Sequence, residues 1–483
     1  MSKSEFLYDA IAQELTQAID QGTYSVGTRM PSLRQLCEQY HVSMTTAQQV
    51  YSVLEDASLI ATRPRSGYYV RSRAKEFDTQ PAASQPIDTP MDAPYRQDSV
   101  SLYEDFYADN IYQFGAIGSP AEELIPDRTI ARHITKALKE FPSQSCQYDT
   151  PMGNLELRQQ IVNRMYDAGC RAKAENIIIT QGCQGALALA LQAITTKGDT
   201  VAVESPIYPG VGQLLCQLEL KVLEIPTHPR DGADLGALTR LIKRQTNNVK
   251  ACILIPNCQN PLGGSMPEEN KRHLIKILSN AGIPLIEDDA MGDLIYKRPR
   301  PKAAKSYDSE GNVLYCSSFS KVLGPGHRIG WIEPGKYYDK VIRNKAVSTL
   351  MNPSYIQHAF KEFLKAGSYI RTVNKATTVY LARMTQLRRW VYEYFPKGIR
   401  YTNPQGGYFL WIELPSSVDA KMLTTMALKK KIGIGLGSWF SPNELYTNHI
   451  RLCCTDSKME RMRIATQALG MMAHEILQQG RPK

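Results

Sequence analysis

The 483-residue sequence predicts a multidomain protein with a small N-terminal unit of three helices and a two-stranded β wing, followed by a large α/β unit. Two observations predict this division. Residues 76–108 are rich in proline and polar residues and lack aliphatic periodicity, as linkers do. From about residue 110, short apolar runs such as NIIIT, TVAVE and VKACILIP alternate with helical stretches. We therefore expect the small unit at 1–75, a linker at 76–108, and a mainly parallel sheet with a smaller C-terminal α+β subdomain at 109–483.

The composition, with 43% hydrophobic and 22% charged residues, is that of a soluble globular protein. The N-terminus has acidic residues where a signal peptide needs an apolar core, and no apolar run reaches membrane-spanning length. The ten cysteines are scattered without metal-ligand spacing, which favours reduced thiols, a cytoplasmic location and no metal site. The net charge of +10 is compatible with a polyanionic partner.

The small unit shows three helical patterns and one hairpin pattern. Apolar residues recur at helical spacing through 4–20. Ser32 with Gln35 forms the start of a capping box for the second helix, and Ser43 is a suitable N-cap for the third. The following LIATRPRSGYYVRSR alternates around a turn. Two short helices around a tight turn and then a basic hairpin predict a winged helix-turn-helix.

Such a unit reads double-stranded DNA with the start of its last helix and holds phosphates with its basic residues. The predicted DNA-binding residues are Ser43, Thr45, Thr46 and Gln48 on the third helix, Arg34, Arg63 and Arg65 for phosphates, and Gly67, which lets the wing approach the duplex. The alternative is a small helical domain for protein contacts, in which the polar helix starts are only caps.

Residues 8–70 resemble the GntR-type DNA-binding domain along their whole length. The matching motifs are GTRMPSLR, VSMTT and RSGYYV. The family usually has an arginine after V-S, where this sequence has Met44. A methionine binds neither phosphate nor guanine, so we expect DNA affinity or site preference to differ from the family norm.

In the large unit, polar residues follow the predicted strands, at the sheet edge where α/β proteins bind ligands. The candidates are Gly182, Cys183 and Gln184 at a helix start, Tyr208 in SPIYPG, Asn260 in NCQNP, the triplet Glu287, Asp288 and Asp289, and Ser318, Lys321 and Arg328 in SSFSKVLGPGHRIGW. Each has a plainer interpretation. The glycines are also common in tight local turns. Three adjacent carboxylates are usually solvated or bind a divalent metal, and Lys321 and Arg328 could be solvated cations on a surface turn.

Together these residues fit a planar, phosphorylated aldehyde held as an imine. Lys321 is the predicted nucleophile, since a partly desolvated lysine loses its proton more readily. Asp288 would keep a pyridine nitrogen protonated, and Asn260 would donate to a ring hydroxyl. Tyr208 would stack on the ring. The phosphate would bind the helix start near Gly182, the Ser318 hydroxyl and the Arg328 guanidinium.

The order of these motifs over residues 110–475 resembles fold-type I aminotransferases that depend on pyridoxal phosphate. The resemblance implies that Arg451 in HIRLCCT binds the carboxylate of the substrate, and that Tyr148 in QYDTPMGN reaches the phosphate of the neighbouring subunit. The family usually has a tyrosine on the ring hydroxyl where this chain has Met291. A thioether has no O–H donor, so we expect weaker transamination than in a dedicated enzyme.

The two halves together resemble the MocR subfamily of bacterial regulators. The resemblance implies a homodimer on a DNA operator, with bound pyridoxal phosphate or its adduct with a small amino compound changing how the DNA-binding units are placed. Two alternatives stay open at this point. One is an active aminotransferase with an attached DNA-binding unit, and the other is a DNA-binding protein with an empty dimerisation domain.

Overall fold

The computed structural model describes residues 7–20, 23–25, 27–56, 59–63, 66–70, 80–84, 87–93 and 111–479. The chain divides into two compact units, Met1–Thr79 and Gln80–Lys483. The ten cysteines, all within the described ranges, are free thiols. Among the described helices, none is long and apolar enough to cross a membrane.

The described residues of the first unit form three helices and one antiparallel hairpin, as the sequence predicts. These are α1 (Leu7–Asp20), α2 (Leu33–Tyr40), α3 (Met44–Asp56), β1 (Ile60–Arg63) and β2 (Gly67–Val70). The predicted capping box at α2 is confirmed: the Gln35 N–H donates to Ser32 Oγ at 3.3 Å, and the Ser32 N–H donates to Gln35 Oε1 at 2.8 Å. The predicted first residues of α1 lie outside the described residues.

The core of this unit follows the helical spacing seen in the sequence. Ile11 and Leu15 on α1, Leu36 on α2, and Val50 and Leu54 on α3 are buried in one cluster. Burial of one such side chain stabilises a fold by about 1.5–3 kcal/mol. This core fixes the direction of α3 relative to α2 and the hairpin, so the first turn of α3 stays on the surface.

The second unit is built on a nine-stranded sheet with the order β3-β7-β6-β9-β10-β11-β12-β5, and β8 pairs with β7. The strands are β3 (Met91–Asp92), β5 (Ile178–Gln181), β6 (Thr200–Ser205), β7 (Lys221–His228), β8 (Gly232–Ala233), β9 (Val249–Leu254), β10 (Leu285–Asp288), β11 (Val313–Ser318) and β12 (Ile329–Glu333). Strands β7, β6, β9, β10 and β11 are parallel to their neighbours in that series, whereas β12 is antiparallel to both β11 and β5.

The orientation of β12 matters for the site. Because β12 runs against its neighbours, its amino end lies at the edge where β5, β10 and β11 have their carboxyl ends. Arg328, which immediately precedes β12, therefore stands at the same sheet edge as Asp288 and Ser318.

Helices cover this sheet, and a second sheet forms the C-terminal subdomain. The helices of the unit are α4 (Asp127–Glu140), α5 (Pro142–Ser145), α6 (Leu155–Asp167), α7 (Gly182–Ile194), α8 (Pro209–Gln217), α9 (Leu235–Lys243), α10 (Glu268–Ala281), α11 (Ser320–Leu323), α12 (Tyr338–Ser348), α13 (Ser354–Lys365), α14 (Ser368–Tyr394), α15 (Ala420–Lys429) and α16 (Met459–Gln479). The second sheet has the order β13 (Arg400–Tyr401), β14 (Phe409–Glu413), β17 (His449–Cys453) and β16 (Gly435–Leu436), and β4 (Tyr112–Gln113) pairs with β15 (Ile432–Gly433).

Part of the segment predicted as a linker packs on the large unit. Met91–Asp92 pairs with β7 as a short antiparallel strand, and Asp88 forms an ion pair with Arg244 at 2.9 Å. A two-residue strand leaves no periodicity in a sequence, because alternation needs several residues to be visible. The structure therefore assigns the chain from Gln80 onward to the second unit.

Candidate functional site

A cavity of about 1340 Å³ lies at the carboxyl edge of the main sheet and extends to the C-terminal subdomain. Its walls include most of the residues predicted for the cofactor and effector: Cys183, Gln184, Tyr208, Asn260, Asp288, Ser318, Lys321, Arg328 and Arg451. Two predicted residues are not in these walls. Gly182 immediately precedes Cys183, the first residue of this segment that lines the cavity. Tyr148 does not line the cavity, and its side chain is 86% exposed.

Lys321 is one of two lysines, with Lys421, that line this cavity. It lies on the short helix α11 directly after β11, and its Nζ donates to the Gly118 carbonyl at 2.8 Å. Burial and the positive charge of Arg451 lower the pKa of Lys321 to about 8, although Asp288 acts in the opposite direction. A large fraction of its amine is therefore uncharged at mildly alkaline pH, as a nucleophile requires.

Asp288 ends β10 and faces the same cavity. Its Oδ1 accepts the Ala290 N–H at 3.0 Å and the Cys183 thiol at 3.3 Å. Burial raises the pKa of Asp288, while these two donors and Lys321 act to lower it. Burial also raises the pKa of the Cys183 thiol, which therefore remains a hydrogen-bond donor to the carboxylate. From the sequence, Cys183 was predicted to bind phosphate at a helix start, and its hydrogen bond to Asp288 was not predicted.

The three adjacent carboxylates have three different surroundings. Glu287 accepts the backbone N–H groups of Ala304 and Lys305, both at 2.7 Å. Asp289 is fully buried behind the cavity, where it is bonded to Arg300 and to the Tyr315 hydroxyl. Within the described ranges, no group of acidic, histidine or cysteine side chains could hold a metal ion. Backbone N–H groups, the cavity and Arg300 are thus the surroundings of the three carboxylates.

A second group of polar atoms surrounds the start of α7. Gly182 has a φ of +70°, and a Cβ there would lie 2.7 Å from Nη2 of Arg328. Arg328 donates to the Gln181 carbonyl at 2.8 Å. The Ser320 hydroxyl lines the cavity and is buried, with no hydrogen-bond partner among the described residues. Sequence reasoning named Ser318, whose Oγ instead accepts the Ser320 N–H at 3.4 Å.

Two further predicted residues at this end of the cavity make contacts of their own. The side-chain amide of Gln184 donates to the Gly210 carbonyl at 2.8 Å, so this residue is held by the chain. Tyr208 is the N-cap residue of α8, and its ring lies close over Gly210, where a Cβ would be 2.5 Å from a ring carbon. A side chain at position 210 would require this ring to move.

Arg451 lies on β17 at the opposite end of the cavity and is 4% exposed. Its guanidinium is between the rings of Phe409 and Phe440, at 4.3 and 4.7 Å from their centroids. Its Nη1 donates to Asn260 Oδ1 at 2.9 Å. The two aromatic rings were not identified from the sequence, because they lie 42 residues before and 11 residues before Arg451 on separate elements.

Two further predictions from the sequence concern Met291 and Tyr148. Met291 lines the cavity and is 4% exposed, and its terminal methyl would be 2.9 Å from a Cβ at Gly407. The position at which the resembling family has a ring-hydroxyl donor is thus occupied by a buried thioether.

The contact of Tyr148 with the phosphate stays a prediction, because that phosphate is expected in a second subunit.

The candidate DNA-binding residues lie on α2, around the first turn of α3 and in the hairpin segment. Arg34, Thr45 and Gln48 are exposed. Ser43 Oγ accepts the Thr46 N–H at 3.1 Å and lies 2.8 Å from Thr46 Oγ1, so both hydroxyls are engaged in capping α3. The Arg63 side chain and Arg65 lie outside the described residues.

Two features of this surface add to the sequence analysis. Met44, the first residue of α3, is 43% exposed. Gly67 has a φ of +95°, and a Cβ there would lie 3.4 Å from Nε of Arg29. Arg29, an exposed residue of the GTRMP turn, was not singled out from the sequence.

Comparison with known proteins agrees with this geometry. Residues 7–70 match the model of the bacterial regulatory proteins of the gntR family, and residues 125–469 match that of the class I and II aminotransferases. The chain is 35% identical to the uncharacterized HTH-type transcriptional regulator YjiR of Escherichia coli K12, over 98% of this chain and 99% of the relative. It is 34% identical to YdcR, an uncharacterized HTH-type transcriptional regulator of the same organism, over 97% of this chain and 99% of the relative.

Among solved structures, the large unit is similar to LysN, the α-aminoadipate aminotransferase of Thermus thermophilus, with a TM-score of 0.72 and 28% identity over 78% of this chain and 98% of LysN. The protein thus combines a gntR-type helix-turn-helix domain with a fold-type I aminotransferase domain. The chain belongs to the MocR subfamily of GntR-type transcriptional regulators.

Proposed function

We propose that this regulator acts in the cytoplasm on a double-stranded DNA operator, and that its aminotransferase-like domain binds pyridoxal phosphate through Lys321 and senses a small amino compound. One observation carries the proposal: Lys321, Asp288 and Arg451, which are distant in the sequence, line one cavity, and Lys321 has a pKa of about 8 there. A lysine, a carboxylate and an arginine in a concave site suit an aldehyde, a pyridine nitrogen and a carboxylate.

The residues at each end of the cavity fit the parts of this cofactor. Bound pyridoxal phosphate supplies an aldehyde that condenses with amines and a ring that withdraws electrons. Lys321 would offer its uncharged amine to the aldehyde, and Asp288 would keep a proton on the ring nitrogen. The buried Ser320 hydroxyl, which has no partner among the described residues, and the start of α7 near Gly182 suit a phosphate, with Arg328 adjacent. Ser318 supports the Ser320 backbone in this arrangement.

The remaining residues fit an amino compound with a carboxylate. Arg451 offers a planar pair of donors that matches a carboxylate, and Asn260 is bonded to it at 2.9 Å. Tyr208 lines the cavity and suits stacking on the ring. LysN, the structural relative, is described in complex with a phosphopyridoxyl-leucine, a cofactor joined to an amino acid. That ligand combines a phosphorylated pyridine ring with an amino acid carboxylate, and the residues of this cavity suit both groups.

An exposed apolar surface supports a homodimer. Tyr148 is 86% exposed, Val347 90% and Leu350 42%. The Asp149 N–H donates to Met351 Sδ at 2.9 Å, so the segment of Tyr148 lies beside the segment of Val347 and Leu350. Large exposed apolar side chains in one region are typical of interaction surfaces. A second copy seated here would bring its Tyr148 toward a phosphate, and two DNA-binding units suit an operator with two half-sites.

The second candidate function is an active aminotransferase, which the similarity to LysN favours. Met291 in the cavity wall weighs against efficient turnover, because its thioether cannot donate to a ring hydroxyl. The complete DNA-binding unit favours regulation.

One spectroscopic experiment tests the proposal and separates the two functions. The purified full-length protein is mixed with pyridoxal phosphate, and absorbance spectra are recorded before and after addition of each of a panel of amino acids. We expect the absorbance maximum to shift stably when the cofactor is added, and to shift stably again with an amino acid. We also expect the amino acid to change the affinity of the protein for DNA. Conversion of the cofactor to its amine form would favour the aminotransferase, and a spectrum identical to free cofactor would contradict the proposal.

Met44 gives a separate prediction for the DNA-binding unit. Met44→Arg should strengthen binding to duplex DNA of random sequence, because an arginine at the exposed first residue of α3 adds a contact with phosphate. The slope of log affinity against log salt concentration should steepen by about 0.9. The measurement is fluorescence anisotropy at several salt concentrations.

The matched control is Met471→Arg, which adds the same charge at a methionine that is 67% exposed on α16 of the other unit. Equal slopes for the two variants would show that Met44 does not face DNA.

A further inference from the structure

A short segment of chain, residues 114–118, forms part of the cavity wall and is called the strap below. Its carbonyl groups accept hydrogen bonds from two of the cations that line the cavity, Arg451 and Lys321. Arg451 donates to the Gly115 carbonyl through Nε at 3.1 Å and Nη2 at 2.9 Å, and to the Ala116 carbonyl at 3.3 Å. Lys321 donates to the Gly118 carbonyl at 2.8 Å. Two of the groups predicted to bind the ligand therefore hold the strap in this structure.

The strap is fitted closely against the C-terminal subdomain. A Cβ at Gly115 would lie 2.1 Å from the Arg451 carbonyl oxygen, and one at Gly118 would lie 2.6 Å from the Phe409 ring. The N–H groups of Phe114 and Ala116 donate to the Gly433 carbonyl at 2.8 and 3.2 Å. These two N–H groups are thus direct reporters of whether the strap is in place.

The two ends of the strap respond differently to a ligand. At Gly118 the Tyr408 hydroxyl also donates to the carbonyl, at 3.2 Å, so this end remains held if Lys321 is engaged elsewhere. At Gly115 and Ala116 the donor side chain is Arg451. A carboxylate is a stronger partner for a guanidinium than a neutral carbonyl is, and it binds both of its edge donors at once. A ligand carboxylate at Arg451 must therefore compete with the strap.

We propose that the strap is the element that detects the ligand, and that binding of the effector's carboxylate to Arg451 releases residues 114–116. The inference rests on the proposed cofactor site. It restricts the effector class, because an amine without a carboxylate joins the cofactor but leaves Arg451 on the Gly115 and Ala116 carbonyls. Binding energy becomes a signal only through such a difference between two states of the chain.

The test is hydrogen–deuterium exchange of the cofactor-loaded, full-length protein. The amino acid that changes the absorbance most is compared with its own decarboxylated amine, at concentrations that give equal absorbance changes. The amino acid should speed exchange at Phe114 and Ala116 by about tenfold or more, the effect of losing one charge-assisted hydrogen bond, whereas the amine should leave exchange unchanged.

Equal exchange with both ligands, when both change the absorbance, would overturn the inference and leave the proposed function standing. An absence of any absorbance change would overturn the proposed function and this inference with it.

A variant pair tests the strap without any cofactor. Arg451→Met should speed exchange at Phe114 and Ala116 in the unliganded protein, because the Gly115 and Ala116 carbonyls lose their donor. Arg400→Met is the matched control, since Arg400 lies two strands away on β13 and pairs with Glu413 at 2.8 Å. Equal exchange in the two variants would overturn the inference, and the ligand comparison in unmodified protein decides it if Arg451→Met does not fold.

Discussion

Lys321→Ala is expected to abolish covalent attachment of pyridoxal phosphate and, with it, any response of DNA binding to amino compounds. Lys321 lines the cavity, and its pKa of about 8 leaves on the order of a tenth of the amine uncharged at pH 7. A lysine with the ordinary pKa of about 10.5 has on the order of one uncharged amine in a few thousand at that pH. The attachment rate should therefore rise with pH up to about 8 and then level off.

The measurement is reduction of the cofactor-treated protein with borohydride, followed by peptide mapping. The label should be found on Lys321 in the unmodified protein and be absent from Lys321→Ala. Lys345 is an internal control, because it is fully buried and burial lowers its pKa to about 7, yet it donates to Asn352 Oδ1 at 3.1 Å and does not line the cavity. A label on Lys345 would mean that a low pKa, and not the cavity, selects the lysine.

Asp289→Asn is expected to lower the free energy of unfolding of the large unit by about 3–5 kcal/mol. The Asp289 carboxylate is fully buried and paired with Arg300, whose side chain is 5% exposed. Removing the charge leaves the buried guanidinium with one carboxylate partner among the described residues, that of Asp293, and the Tyr315 hydroxyl loses a charged acceptor. A buried charge that has lost a partner carries most of its desolvation cost without compensation.

The measurement is urea unfolding followed by tryptophan fluorescence, which reports the large unit alone because all four tryptophans lie between residues 331 and 439. Asp288→Asn is the matched control one residue away. Its amide keeps an acceptor for the Ala290 N–H, so we expect a change below about 1 kcal/mol. Asp288→Asn should instead alter the spectrum of bound pyridoxal phosphate. Equal destabilisation by both changes would contradict this division of roles.

Some of these features were determined by the sequence alone, because they depend on neighbours along the chain. The Ser32–Gln35 capping box follows from a three-residue spacing, and the buried positions of α3 follow from helical periodicity. The alternation of short apolar runs with helical stretches from about residue 110 was sufficient to predict the α/β class of the large unit. Local hydrogen bonds and periodic burial need no knowledge of distant residues.

Other features were decided only by the tertiary structure. Three adjacent carboxylates look alike in a sequence, yet backbone N–H groups, the cavity and Arg300 give Glu287, Asp288 and Asp289 separate roles. The antiparallel direction of β12 brings Arg328 to the edge shared by Asp288 and Ser318. The carbonyls that hold Arg451 come from residues more than 330 positions earlier. Partners at such separations are set by the packing of whole elements, and no local pattern of residue types records them.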